Sequence, residues 1–277
     1  MIMIVFFGIV IGVGFFIAQY YGDPSILYIA VAISIVMNFV SFWFSHKIAL
    51  KMSGAVPATR DQYPELYRTV ENLAITAGLP MPTLHIIHDE APNAFATGRN
   101  KKVAAIAVTT GLLSRLEPNE LEGVLAHELS HIDNNDILVS TIAVVLVGFI
   151  SILADIFMRS QIFGGSRDNN RGGVLILVGI ALSVLAPLVA TFMQLAISRK
   201  REYLADASGA LLTRYPEGLA SALEKIAGYK GKMKKASRAT SHLFISNPFG
   251  ADRAFSNLFS THPPMEKRVQ ALREMDM

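Results

Sequence analysis

Four apolar runs, Ile2 to Gln19, Ile26 to Phe44, Ile137 to Phe157 and Val174 to Ala196, constrain this chain more than any other feature. Each is long enough for a helix of roughly 20 residues, the length that crosses the hydrocarbon core of a bilayer. With 52% of its 277 residues hydrophobic and 17% charged, the chain is expected to be a membrane protein. The first run lacks a basic leader and a small-residue cleavage site, and the second follows after only YYGDPS. The pair therefore reads as an uncleaved helical hairpin and not as a signal peptide. Gly8 and Gly12 form a GxxxG spacing that would admit a neighbouring helix. Pro187 would kink the fourth run, where neighbouring helices can satisfy the freed carbonyl.

Four spans place both termini and two polar regions, residues 45–136 and 197–277, on one side of the membrane. Those regions carry eight and fourteen Lys and Arg residues, against none in YYGDPS and three in the loop 159–173. The side with the basic residues is expected to be cytoplasmic. The chain thus divides into a transmembrane hairpin over 1–44, the first part of a cytoplasmic domain over 45–136, a second transmembrane hairpin over 137–196 and the rest of the domain over 197–277. A net charge of +3, without an Arg/Lys stripe interleaved with aromatics, argues against nucleic acid as a partner. There is no cysteine, so disulfides and thiolate ligands are excluded. Any transition metal must then be held by His, Asp or Glu.

The first polar region has a legible order. DQYPELYRTVENLAITAGLP carries apolar residues at helical spacing and closes on Gly78 and Pro80, a stop signal. TLHIIHDE and KVAAIAVTTGLL are β-rich, with APNAFATGRN between them as strand and turn. EPNELEGVLAHELSHI opens a helix with Pro118 in its first turn and acidic residues around it. The expected fold is an α+β membrane protein, predominantly helical, in which four transmembrane helices carry a zincin-like domain with a small β-sheet. KIAGYKGKMKKASRATSH is a solvated or lipid-facing stretch by its lysines and glycines.

The chemistry is concentrated in HELSH. Positions four apart share a helix face, so His127 and His131 can present imidazoles to one ion, with Glu128 beside it. SRKREYLADASGA offers Glu202 as a third protein ligand and, one turn on, Asp206 as a carboxylate for a histidine's second ring nitrogen. Three protein ligands leave a position for water, and Glu128 is placed to act as general base.

AHELSHIDNND, SRKREYLADASGA, APNAFATG and THPPMEKRVQAL occur in the order found in the HtpX family of membrane-integrated zinc metalloproteases, distant relatives of the CAAX prenyl proteases. The chain resembles that family from end to end, including KMSGAVPATRDQYPELYRTVENLA. The resemblance implies an endopeptidase with one zinc per chain. It would cleave misfolded or damaged membrane proteins at the cytoplasmic face of the cell membrane, in quality control and stress response. By motif, His127, His131 and Glu202 would be the zinc ligands, Glu128 the general base and Asp206 the carboxylate behind a ligand. Asn93 lies in a segment resembling the family's cleft-lining strand, where an extended substrate could pair; its other reading is a turn-forming asparagine. His262 is a candidate oxyanion stabiliser by the same analogy, or a contact at a helix N-terminus. Two other classes remain open: an intramembrane site-2-type protease, against which the charges flanking HELSH argue, and a non-enzymatic metal-binding membrane chaperone, which would need no general base.

Overall fold

The computed structural model describes residues 2–145, 179, 199–235, 237, 239–250 and 263–275. The loop 159–173, Pro187, His262, most of the third apolar run and all but one residue of the fourth lie outside the described residues. Residue contacts divide the chain into two units, Met1–Phe44 with Val145–Met193, and Ser45–Val144 with Gln194–Met277.

In the first unit, helix α1 spans Ile2–Tyr21 and α2 begins at Ser25 and runs to Met52. The turn between them is closed by Gly22 at φ 66°, and the Asp23 carboxylate accepts from the Ser25 N–H at 2.9 Å. Close approach occurs at Gly14, where an added Cβ would stand 2.3 Å from Ala30 Cβ. Among the described residues nothing lies within 4 Å of such an atom at Gly8 or Gly12. Helix α2 is the one described helix with the length and composition of a bilayer span, and 11% of its most apolar window is buried. Ile29, Ile33, Val36 and Phe39 stand exposed on it, as expected where the solvent is lipid. Its polar residues bond inside the helix: Ser34 donates to the Val31 carbonyl and Asn38 to that of Ser34.

The second unit is built on a four-stranded sheet of order β1-β2-β4-β3. Its strands are β1 (Val56–Pro57), β2 (Thr83–Ile87), β3 (Ala94–Asn100) and β4 (Val103–Thr109). Strands β2 and β4 are parallel, with Thr83 opposite Ala105, and β3 returns antiparallel to β4, with Ala94 opposite Val108. Both faces are covered, which is why the β4 sequence VAAIAVT is apolar without alternation. Leu84, Ile86, Ala96, Ile106 and Val108 face a core shared with α3 (Pro64–Ala77), α5 (Pro118–Asp133) and α8 (Pro216–Gly228). Ile87, Phe95, Ala105 and Ala107 face a second cluster that includes Ala49, Leu50, Val144 and Phe244. Helix α3 ends as its sequence requires, with Gly78 at φ 65° and the Leu79 N–H bonded to the Ala74 carbonyl at 2.8 Å. The TTGLL end of the β-rich run instead turns into α4 (Thr110–Arg115), because the Thr109 hydroxyl caps the Leu112 N–H. Helices α7 (Arg199–Thr213) and α9 (Met265–Arg273) complete the unit.

The helix bearing HELSH does not run on into the third apolar run. Helix α5 stops at Asp133, Asn134 is its cap, and Asn135 takes the left-handed conformation at φ 59°. A new helix, α6, starts at Asp136 and is described to Val145. The break falls at Asn135 because asparagine tolerates left-handed backbone better than other residues with a Cβ. Replacing Asn135 with valine, whose branched Cβ opposes this conformation, is expected to destabilise the protein by roughly 1–2 kcal/mol. Asn135→Gly should match or slightly exceed the parent. Thermal unfolding in detergent checks both, and equal stability of the valine variant would show that the break is not strained against side chains.

Candidate metal centre

Helix α5 is anchored at its start by a carboxylate. Glu120 accepts from the Glu117 N–H at 2.8 Å and then from Ser221 Oγ at 2.6 Å and Lys225 Nζ at 2.7 Å on α8. An acid in the first turn suits the helix dipole, and here it also binds α5 to its neighbour. About two and three turns on, His127 and His131 lie on one face with their Nε2 atoms 3.2 Å apart. Helix α7 brings Glu202 to them, its Oε1 3.6 Å from His131 Nε2 and its Oε2 3.9 Å from His127 Nε2. This close crossing needs Gly209, where an added Cβ would lie 2.9 Å from the His127 backbone nitrogen. The donor atoms of His127, His131 and Glu202 lie within 4.8 Å of one another and can hold a metal ion. Two nitrogens bound tetrahedrally at zinc distances would be about 3.3 Å apart, so the separation of the two imidazoles suits such an ion.

Each histidine is oriented from behind. His127 Nδ1 lies 2.9 Å from Asp206 Oδ1, and His131 Nδ1 lies 3.1 Å from Asp136 Oδ2. With each Nδ1 turned to a carboxylate, it is the Nε2 atoms that face Glu202, as metal ligation requires. Asp206 is held in turn by Arg268, which has no exposed surface and donates through Nε at 2.8 Å and Nη2 at 2.6 Å. Arg268 Nη1 also stands 3.7 Å from Glu202 Oε2. Asp136 accepts from Arg201 Nη1 at 3.3 Å.

The charges set distinct protonation states. Burial pushes the Glu128 carboxyl up to about 7; His131 and the Ala96 N–H oppose this, and Glu202 adds to it. Burial lowers His127 to about 4 despite its Asp206 partner. His131 is also buried, but Asp136, Glu202 and Glu128 outweigh that effect and raise it to about 9. Burial would raise Asp206, yet the Arg268 guanidinium holds it well below the ordinary carboxylate range.

His127, Glu128, His131 and Glu202 line one cavity of about 30 Å³ with Ala96, Asp136, Arg201, His242, Leu243 and Ile245. Asp206 stands behind His127 and outside that lining. Asn93 is buried and turned toward the chain itself: Nδ2 donates to the Ser246 carbonyl at 2.9 Å, and Oδ1 accepts from the Ser246 N–H at 3.2 Å. Sequence reasoning missed Arg268, Asp136 and Arg201. All three stand inside quoted motifs, THPPMEKRVQAL, AHELSHIDNND and SRKREYLADASGA, but no helical spacing relates any of them to the histidine it serves.

A family model described as Peptidase family M48 matches residues 60–276. A protein named Protease HtpX homolog from Caldanaerobacter subterraneus subsp. tengcongensis is 45% identical over 283 residues, covering 99% of this chain and 93% of that protein. Proteins of the same name from Syntrophobacter fumaroxidans and Pyrococcus furiosus are 51% and 48% identical, covering 89% and 98% of this chain and 89% and 92% of their own lengths. The crystal structure of S. mikatae Ste24p shares the fold, with a TM-score of 0.52 at 20% identity over 96% of this chain and 62% of that one.

In the metal-free protein His131 keeps its proton until about pH 9, and its ordinary value is 6.5. Its raised value contributes stability that is complete below 6.5 and is lost as pH rises through 9. A metal ion must displace that proton. Zinc uptake at pH 8, where Glu128 is already largely ionised, should release about one proton per chain. Apparent affinity should rise with pH and level off above 9. Calorimetry in buffers of different ionisation enthalpy measures this, and uptake without proton release would show that His131 is already neutral at pH 8 in the metal-free protein.

Proposed function

The chain belongs to peptidase family M48 and is a metalloprotease, and from that premise we propose that it is a zinc endopeptidase acting on membrane proteins at the cytoplasmic face. His127, His131 and Glu202 hold the zinc, Glu128 is the general base, and Asp206 with Arg268 keeps His127 in its ligating tautomer. One observation carries the reading. A buried carboxyl raised to about 7 shares a small cavity with three convergent ligand atoms. A purely metal-binding protein needs no such group, whereas a base poised near neutral pH suits proton transfer.

When bound, zinc supplies Lewis acidity toward water and toward a peptide carbonyl. Glu128 takes the proton of the attacking water and delivers it to the leaving amine nitrogen, ending the cycle ionised as it began. Burial of Glu128 keeps that proton from bulk solvent during the transfer. The edge of β3 is the place for an extended substrate to add as a strand. The preference for membrane proteins, and a role in removing damaged ones, is supported by the apolar helix α2, whose last turns belong to the same unit as the metal centre. The division into two transmembrane hairpins and a split cytoplasmic domain completes this reading.

Two measurements test it. Glu128→Gln preserves size and hydrogen bonding but removes the base. Zinc content should stay at one per chain while cleavage of an unfolded protein falls by about 10²–10⁴-fold or more. A variant that binds zinc and still cleaves at a comparable rate would assign the base elsewhere. For orientation, the chain has no cysteine of its own, so one placed at exposed Thr76 should be shielded from an impermeant thiol reagent in intact cells. One at Ser166 should be labelled. The opposite pattern would put the metal centre on the outer face.

A further inference from the structure

One wall of the cavity at the metal centre is made by a segment of the chain that follows α8. Residues 240–246 follow the lysine-rich stretch and meet the outer edge of β3 at its first residues, Ala94 and Phe95. Ser241–Leu243 form one 3₁₀ turn, and the two residues after it, Phe244 and Ile245, are buried. The Ile245 N–H donates to the Ala94 carbonyl at 3.0 Å, the bond an added strand would make. Phe244 packs edge-on against Phe95 with ring centroids 5.0 Å apart. His242 Nε2 donates to the Ser140 carbonyl at 2.9 Å. Leu243 and Ile245 enter the cavity beside Glu128.

The rest of that edge is engaged as well. In an antiparallel pair alternate residues point their N–H and C=O away from the partner strand, so on β3 Ala94, Ala96 and Gly98 face outward. The Ala94 N–H donates to Asn93 Oδ1 at 3.1 Å, that of Ala96 to the Glu128 carboxylate, and that of Gly98 to Thr141 Oγ1 at 3.3 Å. Among the described residues, Asn93, Glu128 and Thr141 thus engage the outward donors from Ala94 to Gly98. The remaining volume of about 30 Å³ admits roughly one or two water molecules and no amino-acid residue.

We propose that residues 240–246 are an internal plug: they occupy the place of a substrate strand on β3, so that the enzyme rests in a latent form and a peptide enters only after they leave. This rests on the protease reading above and adds its regulation. Asn93 then acts as the clasp, since its side chain holds Ser246 through both amide atoms. A peptide replacing the plug would recover the Ala94 carbonyl as acceptor and meet Glu128 at Ala96.

Two variants test the plug in opposite directions. Ile245→Pro deletes the N–H that bonds Ala94 and should raise cleavage of a short quenched peptide several-fold at unchanged zinc content. Ser140→Cys combined with His242→Cys, joined by a short reducible bis-thiosulfonate linker, should hold the plug down. Cleavage should then fall at least tenfold and return on reduction. If linked and reduced proteins cleave alike, or if Ile245→Pro is folded, zinc-loaded and no faster than the parent, the segment is a fixed wall and the proposal fails. Parent protein that binds zinc but cleaves nothing, with or without Ile245→Pro, would count against the protease reading instead.

Discussion

Placing the Arg268 guanidinium where no solvent reaches it costs several kcal/mol unless counter-charges meet it at close range. The metal centre is organised around meeting that need. Asp206 takes the guanidinium in a two-point contact, Glu202 lies close by, and His127 shares Asp206 on its other side. Removing Arg268 would leave a buried carboxylate uncompensated, a loss of the order of 3–5 kcal/mol. Lysine would not restore it, because a single ammonium cannot reproduce the planar two-point contact. The arrangement joins three helices from distant parts of the chain. Helix α9 provides the cation, α7 two carboxylates and α5 the imidazoles, and Gly209 allows α7 to approach α5 at the level of His127.

The two histidines are alike in sequence and different in environment. His127 is enclosed, backed by a carboxylate whose charge is already committed to Arg268, and it gives up its proton easily. His131 faces three carboxylates and holds its proton strongly when no metal is present. Burial decides the first case and nearby charge the second. A divalent cation supplies the positive charge that the proton on His131 otherwise provides, so metal and proton compete for the same negative pocket.

Much of this was legible in the residues. Helical spacing identified His127, Glu128 and His131 as one face, and the Glu202–Asp206 spacing identified the complementary helix, because both signals are local. Gly78 and Pro118 marked helix ends through backbone chemistry that needs no tertiary contact. The β-rich runs emerged as β2, β3 and β4, while the two-residue β1 is too short to carry a periodic signal. Arg268 and Asp136 were invisible as site residues because each serves its histidine through a tertiary approach. The helix bearing HELSH stops short of the apolar run, because the left-handed turn at Asn135 breaks it before the hydrophobic pattern resumes. The spans expected at 137–157 and 174–196 fall largely outside the described residues, leaving α2 as the described candidate span.

The break at Asn135 gives the metal centre an asymmetric mechanical linkage. Both imidazoles ride on α5, but the carboxylate that steers His127 comes from α7, while the one that steers His131 is the first residue of α6. A small rotation about the Asn135 hinge would swing Asp136 away from His131 and leave the His127, Asp206 and Arg268 chain untouched. One ligand is thus clamped by the body of the domain. The other is steered from the first residue of a separate helix, so a shift of that helix start would be felt first as a change in the aim and basicity of a single imidazole.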